Sequence, residues 1–572
     1  MENNNNTIWI IARRMRAPFL VIIITFSISI LGLTLIPGID DNGNPYKMSF
    51  FDAFYFVSYM ASTIGFGEAP YTFTYQQRLW VSFCIYLTVI GWFYGIGSIV
   101  ALIQDKRLAR EFTIIKFKNK IKELQEPFII VLGYNNITKS VIKKINESGT
   151  RVVVVDKDEE KINELELENF LPEIPALSAD VTSPDTLKLA GIHSKYCKAV
   201  VSLFDNDLKN TKIALMCKLL NKKVRLVVKS TTPIQTEHLR NLGIHYIEDP
   251  FKFISQRFYL ALTAPNLWII EMNMFGHILK IREREMLPHG KYILCGYGRM
   301  GHAIGKSLKK ANMPYTLIEL KAGEYKAKKQ SAIFGDAEDH KILLQAGIKD
   351  AVAIIAATQD DLINLTIIST AKKLNSKLYT IARENTIDDM SIFKTARVNR
   401  IYILEHILAE FAYMYIARPM AYQFVRQLHT KDDEWGRALV KRMQQKLGEN
   451  PTHFEITIDK ESTYALYNTL QEGQKVTLGM LKRSREDYTK PLKLIFLMIK
   501  YDDETLFLPD DDTPVVVGMQ LLMATTDEAK NDFEYIVNNY YELYYAMTGK
   551  EKSFGIFDRF EKKRNKDRCN LP

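Results

Sequence analysis

A chain of 572 residues, 47% hydrophobic and 25% charged, with mean hydropathy −0.12 and formal charge +10, is too long for one core and predicts three to five domains. The basic excess would suit nucleic acid, but residues 106–122 hold seven bases against one acid and residues 550–568 hold eight against four; these two runs carry the whole surplus, so no nucleic-acid partner is expected. Cys84, Cys197, Cys217, Cys295 and Cys569 are odd in number, scattered and lack CxxC spacing, so neither a disulfide framework nor a zinc site is indicated.

Residues 17–36 and 79–103 contain no charged side chain, and each is long enough to cross a bilayer, which takes about 20 apolar residues. The first stretch starts late, lacks a small-residue cleavage site and is followed by a second span, so it reads as an anchor. Arg13, Arg14 and Arg16 precede it and the basic run follows the second span. That asymmetry predicts a multi-pass protein of the cell inner (plasma) membrane with both termini cytoplasmic. Between the spans, residues 37–48 are rich in Gly, Pro and Asp and predict an extracellular turn. Residues 49–62, SFFDAFYFVSYMAS, have helical length but cannot span, as in a re-entrant segment. Ser49 is the expected cap.

The next residues are Thr63, Ile64, Gly65, Phe66, Gly67 and Glu68. Consecutive carbonyls aimed at one axis require every second residue to take an unusual φ, which Gly65 and Gly67 permit at least steric cost. Helix, half-helix, TIGFG and helix together resemble the two-span K⁺ channels over residues 17–103. The resemblance implies a selectivity filter in which carbonyls of Thr63 to Phe66 replace the water shell of K⁺, with the Thr63 hydroxyl below and Glu68 at the outer mouth. It also implies a homotetramer in the lipid bilayer. Phe66 stands where this family usually has Tyr, Glu68 where it has Asp, and no Trp occurs in 49–62, so the usual bracing of the filter is not expected. Gly91 and Gly95, four apart on the second span, suit either a gating hinge, as in this family's inner helices, or close packing against a neighbour. No Arg-rich helix precedes the pore, so a voltage sensor is not expected.

After the basic linker, FIIVLG at 128–133 and VVVVD at 152–156 read as buried strands of a βαβ unit. The arrangement returns as YILCGYGRMG at 292–301 and TLIEL at 316–320. Gly133 with Gly296, and Asp156 with Glu319, share an offset of 163; AGI segments, Asn210 with Asn364, and Lys229 with Arg383 align further on. So long a period means a duplicated domain. In the second copy Gly296, Tyr297, Gly298, Arg299, Met300 and Gly301 form GxGxxG between strand and helix, and Glu319 ends the next strand. Phosphates can approach such a helix N-terminus while the acid accepts ribose hydroxyls; a nucleotide-free scaffold is the alternative. The first copy keeps Gly133 and Asp156 but has Asn135 in place of the second glycine, a degenerate site with weak or no dinucleotide binding expected.

The two copies resemble RCK domains, regulators of K⁺ conductance of the TrkA-N type, over roughly 127–430. The resemblance implies an octameric ring, with Glu319, Asp336 and Arg383 lining the second copy's pocket for NAD, NADH or ADP. Segments 251–275 and 400–429 look like the helical crossovers that pair such domains. After Gly448 five alternating segments (453–458, 475–481, 492–502, 505–509 and 519–525) resemble the C-terminal lobe of TrkA proteins. Asp502, Asp503, Asp510, Asp511 and Asp512 suit solvated turns or Ca²⁺, though without the spacing of a defined loop.

The expected fold is therefore a multidomain membrane protein with an all-α two-span pore domain (1–105), whose re-entrant pore helix precedes the filter. A linker helix (106–126) leads to two α/β Rossmann-like RCK domains (127–288 and 289–448), a small α+β lobe (449–530), and a C-terminal helix and basic tail (531–572). The expected function is a nucleotide-gated K⁺ channel of prokaryotic type, with Ca²⁺ as a further possible ligand and no enzymatic activity. A membrane-anchored NAD-dependent oxidoreductase would need a proton donor near the nicotinamide, and no His or Lys has that context. A Trk-type uptake component would need four filter repeats in one chain; one is present.

Overall fold

The computed structural model describes residues 2–230, 232–244, 247–278, 280–282, 286–320, 332–385, 390–502 and 504–551. They divide into an N-terminal helical unit and a larger α/β unit.

In the helical unit, two helices are long and apolar enough to cross a membrane, within Glu2–Leu35 and Tyr75–Ile103. They pack through small residues. A Cβ on Gly32 would fall 2.0 Å from the Trp80 ring, one on Gly91 2.9 Å from the Thr25 hydroxyl, and one on Gly95 2.6 Å from Ile22 Cδ1. Trp80 Nε1 also donates to the Ser29 carbonyl at 3.2 Å. The second span runs unbroken through Gly91 and Gly95, and both glycines admit a side chain of the first helix. Thr74 and Gln77 start that span with a capping box. Between the spans lie a two-residue antiparallel pair at 38–39 and 45–46 and the short helix Phe50–Ala61, whose cap, Ser49, accepts from Asp52 N. Asp105 ends the second span's exit and caps the helix Lys106–Glu123 by accepting from Arg107 N at 2.8 Å. Arg14 pairs with the same carboxylate, and that hydrogen bond is the main cause of its depressed pKa.

The α/β unit holds the duplicated fold. Each copy has a six-stranded parallel sheet with strand order 3-2-1-4-5-6, between Phe128 and Glu248 in one and between Tyr292 and Ile403 in the other. FIIVL and VVVVD are buried almost throughout, as parallel strands covered on both faces must be. Asn210 and Asn364 hold equivalent loops. Asn210 Nδ2 donates to the carbonyls of Phe204 at 2.8 Å and Lys229 at 2.9 Å, and Asn364 Nδ2 donates to those of Thr358 at 3.3 Å and Arg383 at 3.0 Å.

A helix pair follows each sheet, Pro250–Thr263 with Pro265–Met274, and Leu404–Ala417 with Pro419–Leu428. The first helix of each pair packs on the other copy: Pro250–Thr263 lies along Arg299–Lys310, and Leu404–Ala417 along Asn136–Glu147. Ser255 and Ser307 share a 2.8 Å hydrogen bond at the first contact; Lys144 and Glu410 pair at 3.6 Å at the second. Between them, Arg257 Nε donates to the fully buried Glu271 at 2.9 Å, and Arg257 Nη1 lies 3.6 Å from Glu410. His429 and His277 complete the network at 2.7 Å from Glu271 and 2.9 Å from Glu410. Burial alone would raise both carboxyl pKa values, but the histidines and Arg257 outweigh it, lowering Glu271 and holding Glu410 at about 2.

The C-terminal lobe is a four-stranded antiparallel sheet in which Thr452–Thr457, Gln520–Thr525, Leu494–Tyr501 and Glu504–Phe507 are neighbours in that order. The segment 475–481 is not one of its strands. Thr477 makes a single bridge to Pro514 and the chain then turns through Met480–Lys482: Val476 and Leu478 share one face, but Leu481 is buried in the same core, which a continuing strand would place on the opposite face. Helices Asp527–Asn538 and Tyr540–Thr548 pack Phe533, Ile536 and Leu543 into that core, so they belong to the lobe. The basic tail from 552 lies outside the described residues. Glu455 joins the lobe to the second helix pair by accepting from Met420 N at 2.8 Å, and burial raises its pKa to about 7.

Candidate functional site

In the helical unit, the segment after Phe50–Ala61 has positive φ at alternate residues, +60° at Thr63, +65° at Gly65 and +73° at Gly67. A chain that alternates hands in this way turns successive carbonyls to one side instead of two. Nothing lies within 4 Å of a Cβ built on Gly65 or Gly67, and Ile64 and Phe66 are 62% and 65% exposed. The segment is anchored at both ends. Ile64 N donates to the Tyr59 carbonyl at 3.1 Å, while the Tyr59 hydroxyl donates to the Glu68 carbonyl at 2.6 Å and the Tyr55 hydroxyl to the Glu68 carboxylate at 3.1 Å. Phe66 meets Tyr59 edge to face, with centroids 6.2 Å apart. The bracing that sequence reasoning did not expect thus comes from two tyrosines of the preceding helix. Their four-residue spacing, one helical turn, was the signal for it.

In the α/β unit, Gly296, Tyr297, Gly298, Glu319 and Asp336 line one cleft. The three glycines have separate tasks. Gly296 takes φ +89° at the end of strand Tyr292–Cys295. Gly298 is the N-cap of Arg299–Lys310, with no side-chain cap and open space where a Cβ would be. A Cβ on Gly301 would fall 2.0 Å from the Gly296 carbonyl oxygen, so only glycine fits this turn. The N-cap therefore supplies no side-chain acceptor to the first turn of the helix. Glu319 accepts from Tyr297 N at 2.6 Å and Leu320 N at 3.0 Å and keeps acceptor capacity on both oxygens. Asp336 accepts from Glu338 N at 2.9 Å. Met300 is buried beneath the turn. Arg299 and Arg383 are not among the residues lining the cleft; their guanidinium carbons lie 4.6 Å and 5.8 Å from the ring centroid of Phe251.

The first copy's turn is built otherwise. Gly133 takes φ +91° against the Phe204 ring, and Asp156 accepts from Tyr134 N at 2.7 Å, as Glu319 does from Tyr297. Asn135, however, caps Asn136–Glu147 by accepting from Thr138 N at 2.9 Å, and Thr138 Oγ1 accepts from Asn135 N at 2.8 Å. That helix N-terminus is filled by the protein's own side chain.

Among the described residues, no three His, Cys, Asp or Glu side chains form a metal-ligand group. Asp511 pairs with Lys482, and Asp503 lies outside the described residues.

The TrkA-N domain family matches residues 129–250 and 292–404, one match for each sheet. Potassium channel protein 1 of Methanocaldococcus jannaschii is 30% identical over 238 residues, 41% of this chain and 68% of the relative. The chain belongs to the family of potassium channels that carry TrkA-N, or RCK, domains. Probable potassium channel protein 2 of the same organism is 23% identical over 300 residues, 51% of this chain and 82% of that channel. The structure of the GsuK channel bound to NAD shares the fold, with TM-score 0.50 and 15% identity over 93% of this chain and 99% of that one. This potassium channel therefore joins an apolar two-helix unit to two RCK domains.

Proposed function

We propose that the chain is one subunit of a homotetrameric K⁺ channel in the cell inner (plasma) membrane, with both termini cytoplasmic, gated by a nucleotide at the second RCK copy. The observation that carries the pore is the alternation of left-handed φ at Thr63, Gly65 and Gly67 beside an open face. Four such segments around one axis would supply the carbonyls that coordinate a dehydrated K⁺, with Thr63, Ile64, Gly65 and Phe66 as ligands and Glu68 at the mouth. Eight RCK domains, two from each subunit, would form the cytoplasmic ring. NAD, NADH or ADP fits the cleft because Gly298 leaves space and no side-chain cap at a helix N-terminus, where phosphate binds favourably, and Glu319 suits ribose hydroxyls. The NAD-bound GsuK structure favours the same ligand class. Helix Lys106–Glu123 would carry the ring's preference to the second span; a ligand moves that gate only by its differential affinity for two conformations.

Planar-bilayer currents under opposed K⁺ and Na⁺ gradients, with NAD⁺, NADH or ADP on one face, test this reading. We expect a reversal potential that follows K⁺ and an open probability that responds to nucleotide. Gly65→Asp should abolish flux while leaving the tetramer intact by size-exclusion light scattering. Surviving K⁺ current in that variant, or a reversal potential that follows Na⁺ as closely, would overturn the filter assignment.

A further inference from the structure

The arginines expected at the second copy's nucleotide lie instead on an aromatic ring from the other copy. Phe251 is at the start of Pro250–Thr263, the first copy's crossover helix. It is almost wholly buried and takes Arg299 at 4.6 Å and Arg383 at 5.8 Å from its ring centroid. Arg299 opens the helix whose N-terminus faces the cleft, and Arg383 sits on the strand next to the one that delivers Ala357 and Thr358 to it. Arg383 Nε is buried without a hydrogen-bond partner. Burial, helped by the Arg299 charge, holds its pKa down at about 10. Two like charges near one ring, one of them short of an acceptor, make an arrangement that an anion would relieve.

We propose that Phe251 is a competitor for the nucleotide's phosphates: its ring draws Arg299 and Arg383 away from the cleft, and a bound phosphate group reclaims them. This rests on the nucleotide reading above. The attraction of a guanidinium to a ring face is weaker than a charge-assisted hydrogen bond to phosphate, so the exchange favours the bound state without being lost in it. It also gives nucleotide binding a mechanical output. Phe251 belongs to a helix fastened to Arg299–Lys310 by the Ser255–Ser307 hydrogen bond at 2.8 Å, and the same helix carries Arg257, which ties both crossover pairs together. Freeing the ring changes what holds the end of that helix.

The test measures binding to the full-length channel in detergent by titration calorimetry, with NAD⁺, ADP and adenosine, for the wild type and for Phe251→Leu, which keeps an apolar side chain in the buried site. We expect the variant to bind NAD⁺ and ADP about threefold to tenfold more tightly and adenosine unchanged, because adenosine has no phosphate. In bilayers, the same variant should show a smaller change in open probability on saturation with NAD⁺. An affinity for NAD⁺ and ADP that is unchanged or weaker in Phe251→Leu, or a gain shared equally by adenosine, overturns the proposal. Should Phe251→Leu assemble poorly, Arg383→Gln in the wild-type channel decides: weaker ADP binding with adenosine unchanged supports it, and equal ADP binding overturns it. A wild-type channel that binds none of the three overturns the nucleotide reading itself, whereas wild-type binding with no effect of these variants overturns the competition alone.

Discussion

In the first RCK copy the carboxamide of Asn135 closes the N-terminus of its helix, whereas in the second Gly298 brings no side-chain cap and leaves space beside a cleft. Strand order, the asparagine that pins the loops and the acid ending the second strand are shared. One copy has satisfied its own helix dipole and gained a capped, self-sufficient scaffold. The other has no side-chain cap there, which suits the ligand proposed above. On the nucleotide reading proposed above, duplication separates structural support from sensing while the strand order is kept, and the exchanged crossover helices make each copy part of the other's surroundings.

The largest effect should come from what both copies share. Arg257→Ala takes from Glu271 and Glu410 their common cation and leaves them His429, and His277 with Lys144, respectively, so it should cost about 3 kcal/mol, the lower end for breaking a buried ion pair; urea denaturation of the RCK portion in the full chain measures it. Hydrogen exchange should show both crossover pairs loosening together; loosening of one alone would show that Arg257 does not couple the two pairs. Acid acts on the same network. Glu410 has a folded pKa of about 2, below its unfolded value, so its stabilisation is complete above the ordinary carboxylate range and is lost as pH falls through about 2.

Next comes the difference itself. Gly298→Asn gives the second copy the first copy's cap, at a residue with ordinary φ and open space. Nucleotide affinity should fall at least tenfold, roughly 1.4 kcal/mol or more, while thermal stability holds or rises by up to about 1 kcal/mol from the added cap. A smaller effect concerns the lobe that the second helix pair carries. Glu455 has a pKa raised to about 7, so its ionisation opposes the fold: stability is greatest below the unfolded carboxyl pKa and declines as pH rises toward and through 7. Melting curves from pH 5 to 8 should show that slope, and Glu455→Gln should flatten it. The smallest effect is expected for Asn135→Gly, a few tenths of a kcal/mol. This variant should gain no measurable nucleotide binding, because the Phe204 ring still packs on Gly133; calorimetry with NAD⁺ checks it.

Some of these features are legible in the amino-acid sequence. Asn135-x-x-Thr138 is a capping pattern, and Tyr55 and Tyr59 stand one turn apart, although their common partner Glu68 lies beyond the helix they share. Val476, Leu478 and Met480 fall at alternate positions, as in a strand, but the chain turns through Met480–Lys482 so that Leu481 also enters the core and the segment makes only one bridge. Arg383 and Arg299 could be placed near a phosphate by pattern, but not on Phe251, because that ring arrives from a helix more than 45 residues away in sequence from either arginine.

The amino-acid order alone determined the two apolar spans, the duplicated α/β pattern and the glycine fingerprint, since these depend on composition, periodicity and local φ, which act over a few residues. Only the tertiary structure decided which side chains brace the TIGFG segment, which helix N-terminus stays open, and that each copy's crossover helix lies on the other copy. Those outcomes depend on distant segments meeting at hydrogen-bond and van der Waals distance, and local sequence carries no term for such meetings.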